Sequence, residues 1–455
     1  MLLSAKYVLP VSSDFIEDGS VLVRDDQIAD IGPSAQLRQR YPQEPETDYG
    51  LAAILPGFID CHTHLEYSVL RGLVHDSPYA AWKLRLSKKE RLLTTMDWED
   101  SAALGVLEAL RSGVTTIADI TDTGAPFRAA ANVGLRGVIY RECGTVDRHK
   151  LDFVFDQATQ DIAEWREHER GRQLLRIGIA PTALYKCHPE MFHKIAAYAT
   201  DGTPVALHLA GSREEYDFVR YGASPFSVHA TEVEGEGYSI EMPPWLATGV
   251  SPVQYVLNWG ILDVPNVLAV HCVHVDDADI EALAERDVAV ALCSRCNAQL
   301  AMGVAPLPKF IRAGLCLGLG TDSPAATDAT DMIAEMRIGM LIQRAVAGRI
   351  KFVTAQRMLE LGTLGSARAL GLSDQVGSLE PGKQADIICL DLSNSNQAPT
   401  HDPNSAIVNT ATQDNVLLTM IAGKILYDGH HRSGLDVERI FARAEEIRQK
   451  LRSNH

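Results

Sequence analysis

The chain has 455 residues, 46% hydrophobic and 22% charged, with a formal net charge of −17. These are the proportions of an ordinary folded protein, long enough for two or three average domains or one large barrel with an appendage. No basic cluster offsets the acidic balance, which excludes nucleic-acid or anionic-membrane binding as the main business of the chain.

The opening "MLLSAKYVLPVSSDFIEDG" lacks the basic segment and long apolar core of a signal peptide. No apolar run is long enough to span a bilayer, and a cytoplasmic location is expected. Strand-and-turn patterns follow in "AKYVLPV" and "GSVLVRDDQIADIG". A similar signature returns near the other end, in "GSLEPGKQADIICLDL" and "VLLTMIAGKILYDG". Both ends therefore read as one small β domain with the middle of the chain inserted into it.

That middle alternates short β runs with amphipathic segments such as "WEDSAALGVLEALRSG" and "DADIEALAERD". The strand candidates, in order, are "AAILPGFID", "VTTIADI", "RGVIYREC", "RIGIAPTAL", "PVALHLA", "VLAVHCV", "VAVALCS" and "CLGLGTD". Repeated βα units of this kind predict an α/β fold, a (β/α)8 TIM-like barrel. The alternative, a doubly wound open sheet, needs a Gly-rich phosphate loop after its first strand; "DCHTHLE" stands there instead. The expected division is residues 1–52 plus 376–455 as a small β-sandwich domain and residues 53–375 as the barrel. The closing "DVERIFARAEEIRQKL" puts Val437, Ile440, Phe441, Ala444, Ile447 and Leu451 on one stripe, a helix expected to pack on the small domain.

The eight cysteines are scattered through apolar stretches, and no disulfide framework is expected. Cys293 and Cys296 form a lone C-x-x-C, weak support for a structural zinc site.

Polar residues gather at the predicted strand ends. In "PGFIDCHTHLE", His62 and His64 are two apart and project to one side of an extended chain. His208 falls near the end of strand five, His271 near the end of strand six and Asp322 at the end of strand eight. In a barrel these ends share one rim, where the chemistry collects. Imidazoles and a carboxylate together suit zinc or ferrous iron. His274, further along its strand, reads as a supporting or solvent-facing residue.

These residues resemble the amidohydrolase superfamily along nearly the whole chain. "PGFIDCHTHLE" is similar to its strand-one signature, "SGVTTIADI" to its strand-two signature and "GLGTDSPAATDATDMIAEMR" to its strand-eight region. "SPVQYVLNWGIL" and "AVHCVHVDDADIEALAERDVAVALCSRCNAQLAMGVAPLPKFIRAGL" resemble its branch of mononuclear metal deaminases and chlorohydrolases. By position, the resemblance implies that His62, His64, His208 and Asp322 bind one divalent ion, zinc being expected and ferrous iron the alternative. It also implies that His271 hydrogen-bonds the attacking water or the departing group. Asp322 and His271 are then the catalytic candidates, Asp322 accepting the proton of the attacking water.

Two departures qualify the resemblance. The branch carries a glutamate three residues after the strand-five histidine, where it shuttles protons; this chain has Gly211. Glu214 and Glu215 are near but read as the acidic first turn of a helix. On strand four, Thr182 replaces a histidine of the nucleoside-handling relatives, Tyr185 is kept, and His188 beside Pro189 reads as a helix start.

Substrate contacts are expected from Trp82 on a lid after strand one, from Arg141 and Glu142 at the end of strand three, and from Tyr185. The long connection of residues 211–251 reads as a lid or an oligomer contact. The expected function is metal-dependent hydrolysis of a C–N bond in a small heterocyclic or nucleoside-like substrate, deamination first. The alternatives are hydrolysis of a cyclic amide or of a C–Cl or C–S substituent, or a non-catalytic metal- or ligand-binding relative. The expected partner is the small-molecule substrate, in a homodimer or larger homo-oligomer.

Overall fold

The computed structural model describes residues 1–226, 247–429 and 434–453. Both ends of the chain meet in one sheet. It contains β1 (Leu2–Val8), β2 (Ile16–Arg24), β3 (Gln27–Pro33), β4 (Glu46–Asp48) and β5 (Ala52–Pro56) from the start of the chain.

Eight strands of a second sheet follow: β6 (Phe58–Thr63), β7 (Val114–Thr121), β8 (Arg136–Cys143), β9 (Leu175–Pro181), β10 (Val205–Leu209), β11 (Val267–His271), β12 (Ala289–Leu292) and β13 (Leu317–Leu319). The chain then returns to the first sheet with β14 (Ile387–Asp391), β15 (Val416–Ile421) and β16 (Lys424–Tyr427).

The first sheet runs β16-β15-β14-β5-β1-β2-β3, with β4 paired to β1. Its strands alternate in the way a two-faced sheet requires. Ala52 and Ile54 of β5 and Ile387 and Cys389 of β14 enter the sheet's own core with Leu3, Val21 and Met420. Ala53, Leu55, Ile388 and Leu390 face the other way, into the core shared with the second sheet's helices.

Strands β6 to β13 pair in parallel, in chain order. A parallel bridge between Thr63 and Asp322 joins last to first, and the Asp322 N–H donates to the His62 carbonyl at 2.8 Å. This is the barrel that the βα alternation predicts. Its interior takes Ile120, Val138, Tyr140, Ala206, Val270 and Ala291. Their strand neighbours Ile117, Ile139, Leu207 and Ala269 pack outward, into the other core.

Two expectations change. The run "AAILPGFID" is two strands, not one. The break falls at Gly57, whose N–H donates to the Asp386 carbonyl at 3.0 Å; a Cβ there would overlap the Thr115 side chain. The last helix, Val437–Ser453, packs on the barrel helix Thr95–Arg111 and not on the small sheet. Ile440, Ile447 and Leu451 are buried, and Arg443 pairs with Asp100 at 2.7 Å and Lys450 with Asp97 at 2.6 Å. Phe441, on the predicted stripe, is 49% exposed. Among the described residues, no helix is long and apolar enough to cross a membrane.

Candidate metal centre

The barrel brings His62, His64, His208, His271 and Asp322 together. His62 and His64 come from the end of β6 and the residue after it, His208 from β10, His271 from the last position of β11, and Asp322 from just past β13. The backbone is strained here: Ala210, His271, Cys272 and Asp322 have φ of 50°, 76°, 47° and 63°. Left-handed conformations are costly for side-chain-bearing residues and are held only where surrounding structure imposes them, often at functional sites.

The rings are aimed by their second nitrogens. His64 Nδ1–H donates to the Ile120 carbonyl at 2.8 Å, leaving Nε2 to face His208 Nε2 at 3.3 Å. His271 Nδ1–H donates to Asn297 Oδ1 at 3.0 Å, leaving Nε2 3.7 Å from Asp322 Oδ2. Asp322 Oδ1 lies 3.5 Å from His62 Nε2 and 3.9 Å from His64 Nε2. His62 Nε2 is buried with no hydrogen-bond partner among the described residues.

These spacings suit a shared cation. Tetrahedral ligands ~2.0–2.1 Å from an ion lie ~3.3–3.5 Å from one another. The charge state agrees. Burial, with His62 adding to it, pushes His64 down to about 3, and burial pushes His271 down to about 4. Burial and three neighbouring imidazoles hold His208 well below its usual range. For Asp322 burial works upward, but His62, His271 and His64 outweigh it and hold the carboxyl well below the ordinary value. At neutral pH His64, His208 and His271 therefore offer unprotonated nitrogens and Asp322 an ionised carboxylate, the forms that bind metals.

His64, His208, His271 and Asp322 line a cavity of about 280 Å³ together with Trp82, Glu142 and Tyr185. A larger cleft of about 930 Å³ beside Phe15 and Arg344 has no histidine or cysteine in its walls, so we place the chemistry in the smaller cavity. Trp82 is 5% exposed, on helix Tyr79–Glu90. The Tyr185 hydroxyl hydrogen-bonds that of Tyr79 at 2.9 Å, and its ring stacks on Phe226 at 3.7 Å. Arg141 reaches the same wall, but Asp161 at 2.7 Å and Asp122 at 2.8 Å occupy its guanidinium. These contacts fix it in the cavity lining.

His274 lies outside the cluster and donates to the Met302 carbonyl at 2.8 Å. His188 caps helix Pro189–Tyr198. Glu215 is buried and accepts from the Ala210 N–H at 2.6 Å; burial pushes it up to about 8. It supports the turn that follows His208. Gly211 is in that turn, and a Cβ there would sit 3.1 Å from His271 Cδ2 and 3.1 Å from Met302 Cε. Of the expected lid, residues 227–246 lie outside the described residues.

The sequence reading missed the supports. Asn297 orients His271 from 26 positions away. Buried Glu66 accepts from the Thr121 hydroxyl at 2.7 Å and the Asp122 N–H at 3.3 Å, fastening β6 to β7. Its place two residues after His64 in the first motif was the available signal. Asp60 accepts from Thr321 N–H at 2.9 Å and its hydroxyl at 2.5 Å, fixing the segment that carries Asp322.

Comparison with known proteins agrees with this geometry. The amidohydrolase family profile matches residues 53–426, and that of a bacterial imidazolonepropionase-like composite domain matches residues 21–43. A 5-methylthioadenosine/S-adenosylhomocysteine deaminase of Moorella thermoacetica is 31% identical over 449 residues, covering 97% of each chain. One of Desulforudis audaxviator is 31% identical over 454 residues, covering 99% of each. A solved adenosine deaminase from Xanthomonas campestris, with bound zinc, superposes with a TM-score of 0.85 at 27% identity, covering 99% of this chain and 98% of its own. An atrazine chlorohydrolase from Arthrobacter aurescens shares the fold, at a TM-score of 0.82 and 23% identity over 98% of this chain and 99% of its own. A profile match from the last strand of the small sheet's first half to its final strand, with relatives aligned end to end, makes this chain a member of the amidohydrolase family.

Proposed function

We propose that the chain is a metal-dependent hydrolase that releases ammonia from an amino-substituted ring carbon of a small heterocyclic or nucleoside-like substrate. The observation that carries it is the donor set: nitrogens of His62, His64 and His208 and a carboxylate oxygen of Asp322 converge, and among the described residues His62 Nε2 has no hydrogen-bond partner. The deaminase names of the relatives and the zinc of the adenosine deaminase point the same way. In this reading those four residues hold one divalent ion, zinc by preference. Such an ion lowers the pKa of water toward neutrality and so supplies a nucleophile.

The chain's own groups do the rest. Asp322, ionised at neutral pH, takes the proton from the attacking water and passes it toward the leaving nitrogen. His271, neutral and fixed by Asn297, presents Nε2 beside Asp322 and orients the water or the departing group. Trp82, Tyr185 and Glu142 line the space for the ring and its substituents. The expected division into residues 1–52 with 376–455 and residues 53–375 belongs to the same reading with its first boundary moved to Gly57, since β5 pairs with β1 and β14; the barrel carries the chemistry.

Ammonia release from a panel of aminopurines, aminopterins, aminopyrimidines and aminotriazines tests the reaction. Release from at least one class, dependent on metal, is expected. Release of chloride or a thiol from substituted rings, with no ammonia, would move the assignment to the alternative hydrolase. Protonation of His64 and His208 should cost zinc binding little between pH 7.5 and 5.5, because burial and neighbouring imidazoles leave neither with a proton to give up in that window. Ordinary histidines, with pKa about 6.5, would each cost roughly tenfold per pH unit below that value. Calorimetric titration at the two pH values checks this; a loss of ~100-fold or more would mean that the free site is protonated.

A further inference from the structure

The lone C-x-x-C of the sequence falls at the metal centre, and the reaction does not use it. Cys293 directly follows β12, the strand that lies between β11, which ends in His271, and β13, which leads to Asp322. Alternation along β12 sends Val290 and Leu292 outward and Ala289, Ala291 and Cys293 inward. Cys293 therefore continues the inward face of the barrel at its C-terminal rim, between the two catalytic candidates. Cys296, on the short helix Ser294–Gln299, lines the cavity.

The result is a second donor group among the described residues. A nitrogen of His271, the Cys293 sulfur and a carboxylate oxygen of Asp322 lie within 4.8 Å of one another, and all three residues are buried. His271 Nδ1 is engaged by Asn297, so Nε2 is the nitrogen left to bind. The two oxygens of Asp322 divide. Oδ1 is turned to His62 and His64, at 3.5 and 3.9 Å, and Oδ2 to His271, at 3.7 Å. One carboxylate can thus bridge two ions, as in two-metal sites whose ions stand ~3.5–4 Å apart. Thiolate, imidazole and carboxylate in one group suit zinc and softer ions such as cadmium, and do not suit magnesium, which takes oxygen ligands.

We infer that His271, Cys293 and Asp322 form a second, inhibitory site for a thiophilic divalent cation, zinc or cadmium. On binding, the Cys293 thiol gives its proton to solvent and its sulfur to the ion. The ion then holds His271 Nε2 and Asp322 Oδ2, groups that the reaction needs free to orient the water and accept its proton. This site is weaker than the first, because it fills against a neighbouring dication and at the expense of a thiol proton. It therefore fills only with metal in excess over one equivalent per chain. That its filling stops turnover rests on the function proposed above; the binding itself does not.

Cobalt(II) in place of zinc tests the site, because sulfur ligation adds an intense near-ultraviolet charge-transfer band to the weak visible bands of the ion. Chelator-stripped protein should show only the visible bands through the first equivalent of cobalt and gain the near-ultraviolet band beyond it. That band should vanish in Cys293→Ala and persist in Cys296→Ala. The visible bands of the first equivalent show that each variant is folded, and Cys293→Ser keeps the size of the side chain if alanine does not fold. Excess zinc or cadmium should lower ammonia release by the zinc-loaded enzyme at least ~10-fold, in keeping with the loss of general acid–base groups. Excess magnesium should not, and excess zinc should leave Cys293→Ala uninhibited. No near-ultraviolet band at any excess, a band complete at the first equivalent, a band that survives in Cys293→Ala, or equal inhibition of wild type and Cys293→Ala would each overturn the inference. A band that needs Cys293, with no ammonia released from any substrate, would leave the site standing and remove the proposed reaction. Ammonia release with no such band would do the reverse.

Discussion

Asp322→Asn lowers turnover by at least ~100-fold and leaves the fold intact. The fold survives because the contact that closes the barrel uses the Asp322 backbone, whose N–H donates to the His62 carbonyl at 2.8 Å. The side-chain oxygen that accepts from the Ser323 N–H at 2.6 Å is also retained in asparagine. What disappears is the negative charge and the proton acceptor. In the wild type the surrounding imidazoles keep the buried carboxyl ionised far below its ordinary range, so the base is fully available at neutral pH. Positioned general acid–base groups are worth ~10²–10⁴-fold, and a weakened hold on the metal adds to the loss. Steady-state kinetics with a thermal melt on the same samples decides the matter. Unchanged turnover would remove Asp322 from the machinery.

Gly211→Glu lowers activity toward the native substrate by ~10-fold or more. The relatives' glutamate would need room for a whole side chain at a position where even a Cβ would stand 3.1 Å from the His271 ring and from the Met302 methyl. Something must move, and the ring is tied to Asn297 at 3.0 Å on one side and faces Asp322 at 3.7 Å on the other. Displacing it disturbs both contacts, and the new carboxylate adds a second acid to the turn that already holds the buried Glu215. Gly211→Glu combined with Met302→Ala relieves one of the two contacts and should recover part of the loss. A gain in ammonia release by the single variant would instead describe a deaminase that has lost its shuttle and can be repaired.

Much of this site was legible in the sequence because it depends on strand periodicity. Two-residue spacing placed His62 beside His64, and the barrel rule gathered residues as distant as His64 and Asp322 onto one rim. The strain at His271 and Asp322 and the aiming of each ring were not legible. They depend on partners such as Asn297 and Ile120, brought near by helix starts and neighbouring strands that no local pattern encodes. The split at Gly57 was hidden because β5 and β6 are both fully buried, so the apolar run continues across the break. The last helix had a readable stripe, but a stripe names no partner. Asp97 and Asp100 on a barrel helix supply it. Met302 against Gly211 was beyond reach, since a missing side chain says nothing about what fills its place.

The central claim is that catalysis needs one divalent ion held by His62, His64, His208 and Asp322. The most direct test is a zinc titration of chelator-stripped protein, following ammonia release from the substrate that the panel identifies. Activity should be absent after stripping and should return linearly with added zinc, reaching its plateau at about one equivalent per chain. Stripped, folded protein that turns over at the full rate before any zinc is added would contradict the account.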